Sequence, residues 1–170
     1  MADALLLRSA TRADAPSLLA IYRPFVESTS VSFEEEPPSI EQFAARIEQA
    51  VHGWSWIVAE REGRCIGYAY GSKHRERAAY RWSVEVSAYV HPDQHRRGVA
   101  STLYGHLFEA LANRGFCNAY AAVTMPNEAS LALHRKLGFQ PIGVFERVGY
   151  KFGRWHDVAW VHRVLRDTPP

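Results

Sequence analysis

A chain of 170 residues can bury one substantial core and is too short for a multi-domain assembly. Hydrophobic residues make up 47% and charged residues 22%, a balance that excludes a disordered chain. A formal net charge of +2 is too small to specify a nucleic-acid or anionic-membrane partner, so any anion site must be local. Of the 20 basic residues only Lys73, Lys136 and Lys151 are lysines; the rest are Arg, which suits bidentate contact with carboxylate or phosphate. Cys65 and Cys117 sit in separate apolar stretches and read as two reduced core thiols, since two cysteines do not make a disulfide framework. The start MADALLLRSA carries Asp3 and no basic leader, unlike a secretory signal, and no run approaches 18 apolar residues. A soluble, cytoplasmic protein is expected.

Leu5 to Arg8 reads as a first strand, and Thr11-Arg12-Ala13-Asp14 has the form of a helix start with Pro16 in its first turn. Leu18, Leu19, Tyr22, Phe25 and Val26 recur at helical spacing to about Glu27. Ser28 to Pro38, with three consecutive glutamates and a Pro-Pro pair, reads as a loop. Ser39 can cap a second helix bearing Phe43, Ile47 and Val51. Trp54 to Ala59 and Cys65 to Tyr70 flank Glu-Arg-Glu-Gly and predict a hairpin.

Tyr80 to Val90 is the longest strand candidate, with Trp82, Val84, Val86, Ala88 and Val90 on one face and Ser83, Glu85, Ser87 and Tyr89 on the other. Val99 to Asn113 reads as a helix stopped by Gly115, Ala119 to Thr124 as a buried strand, and Asn127 to Leu137 as a helix closed by Gly138. Gln140 to Val148 and Trp155 to Leu165 complete the chain as two strands around a Gly-containing turn. The order β-α-α-β-β-β-α-β-α-β-β, without repeat or linker, predicts one mixed α/β domain over residues 1–170.

The most informative segment is Val90-His91-Pro92-Asp93-Gln94-His95-Arg96-Arg97-Gly98-Val99-Ala100, a strand end followed by a basic turn that opens a helix. Backbone N–H groups at such a helix start, aided by the helix dipole, suit a pyrophosphate, and Gly98 with the small Ala100 lets the anion approach closely. A solvated basic turn is the plainer reading. The segment has neither the P-loop nor the dinucleotide-fold glycine pattern. His91 and His95 lack a carboxylate or Cys cluster to complete a metal site, so no metal is expected. Trp155-His156-Asp157 is not a triad, since adjacent strand residues point to opposite faces.

His95-Arg96-Arg97-Gly98-Val99-Ala100 resembles the acyl-CoA pyrophosphate loop of the GCN5-related N-acetyltransferases (GNAT), with His95 where Gln or Arg is usual. Asn127 to Ser130 and His134 to Phe139 resemble the helix bordering the pantetheine arm in that family. Glu27 to Phe33 with Glu36-Pro37, Ser83-Val84-Glu85, Tyr89-Val90 and Val148 to Val158 resemble its phosphinothricin and methionine-sulfoximine acetyltransferase branch. The resemblance implies a GNAT fold: a central mixed, twisted sheet of about seven strands flanked by four helices. It also implies acetyl transfer from acetyl-CoA to the α-amine of a small amino acid or analogue, by direct attack in a ternary complex. Homodimers are common in the branch, so a homodimer is expected.

On that reading Glu85 is the candidate base, because an ammonium must lose a proton before its nitrogen attacks. The rival reading ties Glu85 structurally to an Arg. His134 stands where many members carry a tyrosine near the sulfur and could donate to the leaving thiolate or relay a proton; the rival is a satisfied helix histidine. Ala88, Tyr89, Val90, Arg96, Arg97, Gly98, Val99, Ala100, Ser101, Asn127 and Ser130 are implied to hold acetyl-CoA. Phe33, Arg75, Glu76, Arg77, Glu85, Val86 and Ser87 are implied to face the acceptor, where an Arg fork suits a carboxylate. Alternatives are a GNAT enzyme acting on another amine (a protein N-terminus, polyamine or aminoglycoside), which Glu34 to Glu36 keep open, and a non-catalytic acyl-CoA-binding regulator. No nucleic-acid or membrane partner is expected.

Overall fold

A computed structural model describes residues 4–170; Asp3 of the N-terminal reading lies outside them. The elements are β1 (Leu6–Ser9), α1 (Ala15–Ser28), α2 (Ile40–Gly53), β2 (Trp56–Arg61), β3 (Arg64–Lys73), β4 (Ser83–Val90), α3 (Val99–Asn113), β5 (Asn118–Thr124), α4 (Glu128–Lys136), β6 (Gln140–Lys151) and β7 (Arg154–Val164). The seven strands form one sheet in the order β1-β2-β3-β4-β5-β7-β6. Among the described residues only β4 and β5 pair in parallel.

Period-two alternation divides the sheet into two apolar faces. Val84, Val86 and Val90 of β4 join Ile57, Ala69 and Ala119 in a core closed by Leu103, Leu107 and Leu111 of α3. On the opposite face Trp56, Val58 and Tyr68 meet Leu18 and Val26 of α1 and Phe43 and Ile47 of α2. Among the described residues the parallel ladder is short, Ser83↔Asn118, Val84↔Ala119 and Glu85↔Tyr120. Beyond Glu85 the two strands no longer pair, and a cleft opens between them.

Several boundaries move. Ala78–Tyr80 form a single 3-10 turn and the central strand begins at Ser83, so Tyr80 and Trp82 are not on its face. The Trp82 carbonyl instead accepts the Cys117 amide at 2.8 Å, bringing β5 alongside. The predicted Glu-Arg-Glu-Gly hairpin tightens to Glu62-Gly63, both at positive φ, with the strands running through Arg61 and Arg64. The strand predicted to end at Val148 continues to Lys151 and turns at Phe152-Gly153, also both at positive φ. Cys117 is buried but Cys65 is only half-buried, so just one of the two expected core thiols is in the core.

The loop 29–38 is anchored from three sides. The buried Lys151 ammonium donates to the carbonyls of Val26 (2.7 Å), Thr29 (2.9 Å) and Ser32 (2.7 Å), holding the C-terminal end of α1 where the helix dipole favours a cation. Arg46 grips Glu34 through both nitrogens, at 2.6 and 3.0 Å, and the Tyr22 hydroxyl bonds Ser32 and Glu34. Phe33 lies flat on Gly149, where an added Cβ would sit 2.2 Å from its ring. The buried His156 ring donates to the Lys151 carbonyl at 2.9 Å and closes the β6–β7 hairpin.

Candidate active site

The cleft between the diverging ends of β4 and β5 has a volume of about 100 Å³. Its walls include Ser87, Ala88 and Tyr89 from β4, Ala122 and Thr124 from β5, Ala100 from α3, and Asn127, Ser130 and His134 from α4. Strand divergence leaves backbone N–H and C=O groups of β4 without a ladder partner, the groups that an extended amide-bearing arm could bond. At its mouth stands the basic turn. Arg96 (φ 62) and Gly98 (φ 75) both take the left-handed conformation, and α3 starts at Val99 with no side chain capping it. Consecutive amides in such a turn form a concave donor nest, and the first amides of a helix have no internal partner. By contrast, Ser39 caps α2 and Asn127 caps α4 by accepting the Ser130 amide at 3.1 Å.

His95, the unusual residue in this turn, folds back so that its Nε2 donates to the Val90 carbonyl at 3.1 Å. It pins the turn to the strand end from the protein side. Arg61 reaches Gln94 (2.6 Å) and Arg64 reaches Asp93 (3.1 Å), so the β2–β3 hairpin braces the turn from behind. Arg96 and Arg97 are exposed at the mouth of the cleft.

His134 is 4% exposed. Its Nδ1 lies 2.7 Å from the Ser130 carbonyl, and a carbonyl only accepts, so Nδ1 carries a proton. Burial pushes its pKa down, opposed by that hydrogen bond, and the neutral ring leaves Nε2 as an acceptor facing the Tyr104 hydroxyl at 3.5 Å. Burial also raises the Tyr104 pKa, so the phenol keeps its proton. The hydroxyl of this pair that can donate is therefore Tyr104's, a residue on the buried face of α3 whose spacing marks it only as core.

Glu85 faces the α1/α2 side of the sheet, and its side chain is 28% exposed. His74 Nδ1 lies 3.0 Å from Glu85 Oε1 and an Arg75 nitrogen 3.6 Å from the same oxygen. The residue contacting Glu85 most closely is thus a histidine that sequence reasoning passed over. Of the other acceptor-side candidates, Glu76 pairs with Lys73 at 3.1 Å on the surface, and Arg77 is exposed at the start of the 3-10 turn. Val86 and Ser87 line the cleft and Phe33 packs on the hairpin. Beside Glu85, across β3, a cavity of about 370 Å³ is walled by Tyr22, Phe43, Trp54, Tyr70, Arg46 and Lys73 among others. That volume is within the range of small-molecule pockets. The best-formed metal-like cluster among the described residues, Asp14, Glu60 and Cys65, surrounds the Arg8 guanidinium, which already supplies its cation.

A sheet parted beside the parallel pair of β4 and β5, with an uncapped helix start near the gap, is an arrangement that suits an acyl-CoA-dependent transferase. In agreement, residues 7–160 match the acetyltransferase (GNAT) domain family. The chain belongs to the GNAT family and is an acetyl-CoA-dependent N-acetyltransferase. Among its relatives, phosphinothricin N-acetyltransferase of Streptomyces viridochromogenes is 36% identical, over 96% of this chain and 90% of that protein. The L-methionine sulfoximine/L-methionine sulfone acetyltransferase of Pseudomonas aeruginosa is 35% identical over 95% of each. A crystal structure of phosphinothricin acetyltransferase from Sinorhizobium meliloti in complex with acetyl-CoA superposes with a TM-score of 0.93 at 36% identity, covering 98% of this chain and 93% of that one.

Proposed function

We propose that this single domain N-acetylates the α-amine of a small amino acid or analogue of the phosphinothricin, methionine sulfoximine or methionine sulfone type. The observation that carries the reading is the position of Glu85, in the last β4–β5 pair before the cleft opens, with Arg75 beside it. The residues present fit acetyl-CoA: the turn from Arg96 to Ser101 offers backbone donors to its pyrophosphate, and Ala88 to Val90, Asn127 and Ser130 border its pantetheine arm. When bound it supplies an activated acetyl group on a thioester.

Glu85 takes the proton of the acceptor ammonium, directly or through one water, so that the free amine attacks the acetyl carbon within a ternary complex. Arg75 lies where an acceptor carboxylate can be paired while its amine stays near Glu85. The Tyr104 O–H, directed at His134 Nε2 before reaction, is the proton assigned to the leaving sulfur once the hydroxyl turns from that acceptor. Arg46 and Tyr22 already engage Glu34, which takes one of the three consecutive glutamates away from a polyamine or aminoglycoside, while Glu35 and Glu36 stay exposed.

The same reading includes a homodimer. β6 and β7 expose Ile142, Val144, Phe145, Val148, Tyr150 and Trp155, each at least half accessible, and apolar side chains exposed in such number suit an association surface. No helix among the described residues is long and apolar enough to cross a membrane, in keeping with a cytoplasmic enzyme. Thiol release from acetyl-CoA, measured across phosphinothricin, methionine sulfoximine, methionine sulfone, the twenty amino acids, spermidine and an alanyl peptide, tests the acceptor. Saturable turnover with the first group is expected. Turnover confined to the peptide or spermidine would overturn the assignment, and light scattering would show whether the chain is dimeric.

A further inference from the structure

We propose that His74 is the positioning residue of the reaction: the base is a Glu85–His74 pair and not a lone carboxylate. This inference rests on the reading of Glu85 given above. A row of facing side chains crosses the sheet at this level, Ser72 of β3, Glu85 of β4, Tyr120 of β5 and His162 of β7, joined by backbone register. His74 follows Lys73, the last residue of β3, and turns back over the row. Its ring stacks on Tyr120 with centroids 4.6 Å apart and planes 12° from parallel, while Tyr80 (5.8 Å) and Trp160 (6.3 Å) meet it edge-on. Tyr120 in turn stacks on His162 at 4.8 Å.

Three aromatic neighbours leave the imidazole, whose side chain is 13% exposed, little freedom to swing. Its Nδ1 is thereby held 3.0 Å from Glu85 Oε1. An Nδ1–H donated to Oε1 fixes the carboxylate rotamer and leaves Oε2 to take the proton of the acceptor ammonium. The N–H bond of the ammonium breaks, the O–H bond of the Glu85 carboxyl forms, and the proton passes to bulk water after product leaves. Misplacing a reacting group by about 1 Å lowers rate by about 10²-fold, so a fixed rotamer is worth a measurable factor.

The test compares His74→Phe, which retains a ring against Tyr120 without the donor, and His74→Asn, which retains a donor without the ring. In His74→Phe, kcat for the best acceptor should fall about 10- to 100-fold, with KM for acetyl-CoA unchanged within about twofold. His74→Asn should recover most of that loss. Unchanged kcat in both variants would overturn the proposal. So would losses in both variants that track the drop in melting temperature with no recovery in His74→Asn, because that is the signature of packing alone. A parent protein that releases CoA with no amine overturns the proposed function and this inference together; an active parent with unmoved variants overturns only the role of His74.

Discussion

The start of α2 and the start of α3 are both helix N-termini on the same sheet, yet they are finished in opposite ways. At α2 the Ser39 hydroxyl accepts the Gln42 amide at 3.1 Å and the Gln42 side chain returns to the Ser39 amide at 2.8 Å. At α3 the residue before the helix is Gly98 in the left-handed conformation, without side-chain cap. The same contrast extends outward. Around α2 the loop 29–38 has its carbonyls met by Lys151 and its carboxylate by Arg46, whereas around α3 the neighbouring β4 ends in unpaired backbone. A closed helix start stabilises the fold; an open one keeps its donors for a ligand.

The contrast makes predictions in which kinetics and stability separate. Glu85→Gln should lower kcat by about 10² to 10⁴ while acetyl-CoA still raises the melting temperature, as steady-state kinetics and thermal shift would show. Retained turnover would remove Glu85 from the chemistry. Lys151→Met, on the closed side, should destabilise by about 3 kcal/mol in urea unfolding, since three carbonyls lose one donor in a buried place. Gly98→Val places a β-branched residue at φ 75 and should raise KM for acetyl-CoA about tenfold or more, with a smaller effect on kcat. An unchanged KM would mean that the open start binds nothing. Ser39→Ala should lower stability by about 1 kcal/mol and leave both kinetic constants alone.

Stability should also follow pH through His134. Its folded-state pKa is depressed by burial, so the unfolded chain binds a proton more readily. The contribution is complete above the ordinary imidazole pKa of about 6.5 and is lost as pH falls below it. A melting temperature that drops on acidification more steeply in the parent than in His134→Phe would show this coupling.

Element order was legible because helical and strand periodicities differ: the helix over Val99 to Asn113 and the cap at Asn127 stand where spacing and capping chemistry put them. The basic turn was legible too, since Gly98 between Arg97 and Val99 is a local signal. His74 was not, because nothing near it in sequence says that it will return over Glu85 eleven positions later. Tyr104 was hidden by its spacing, which is that of a core residue, and the hydrogen bond to His134 joins positions thirty apart. The direction of the His134 proton was likewise out of reach, since it depends on one carbonyl a turn earlier in α4.

By itself the sequence determined the elements, their amphipathic faces, and a turn built to present backbone donors, because each follows from residues within a few positions of one another. Tertiary structure decided where β4 and β5 part, which histidine reaches Glu85, which nitrogen of His134 carries the proton, and that Lys151 ties the loop 29–38 to the last hairpin. Those outcomes depend on groups brought within hydrogen-bond distance from remote parts of the chain. Strand register sets such distances, and register is fixed only when the whole sheet closes over its two cores.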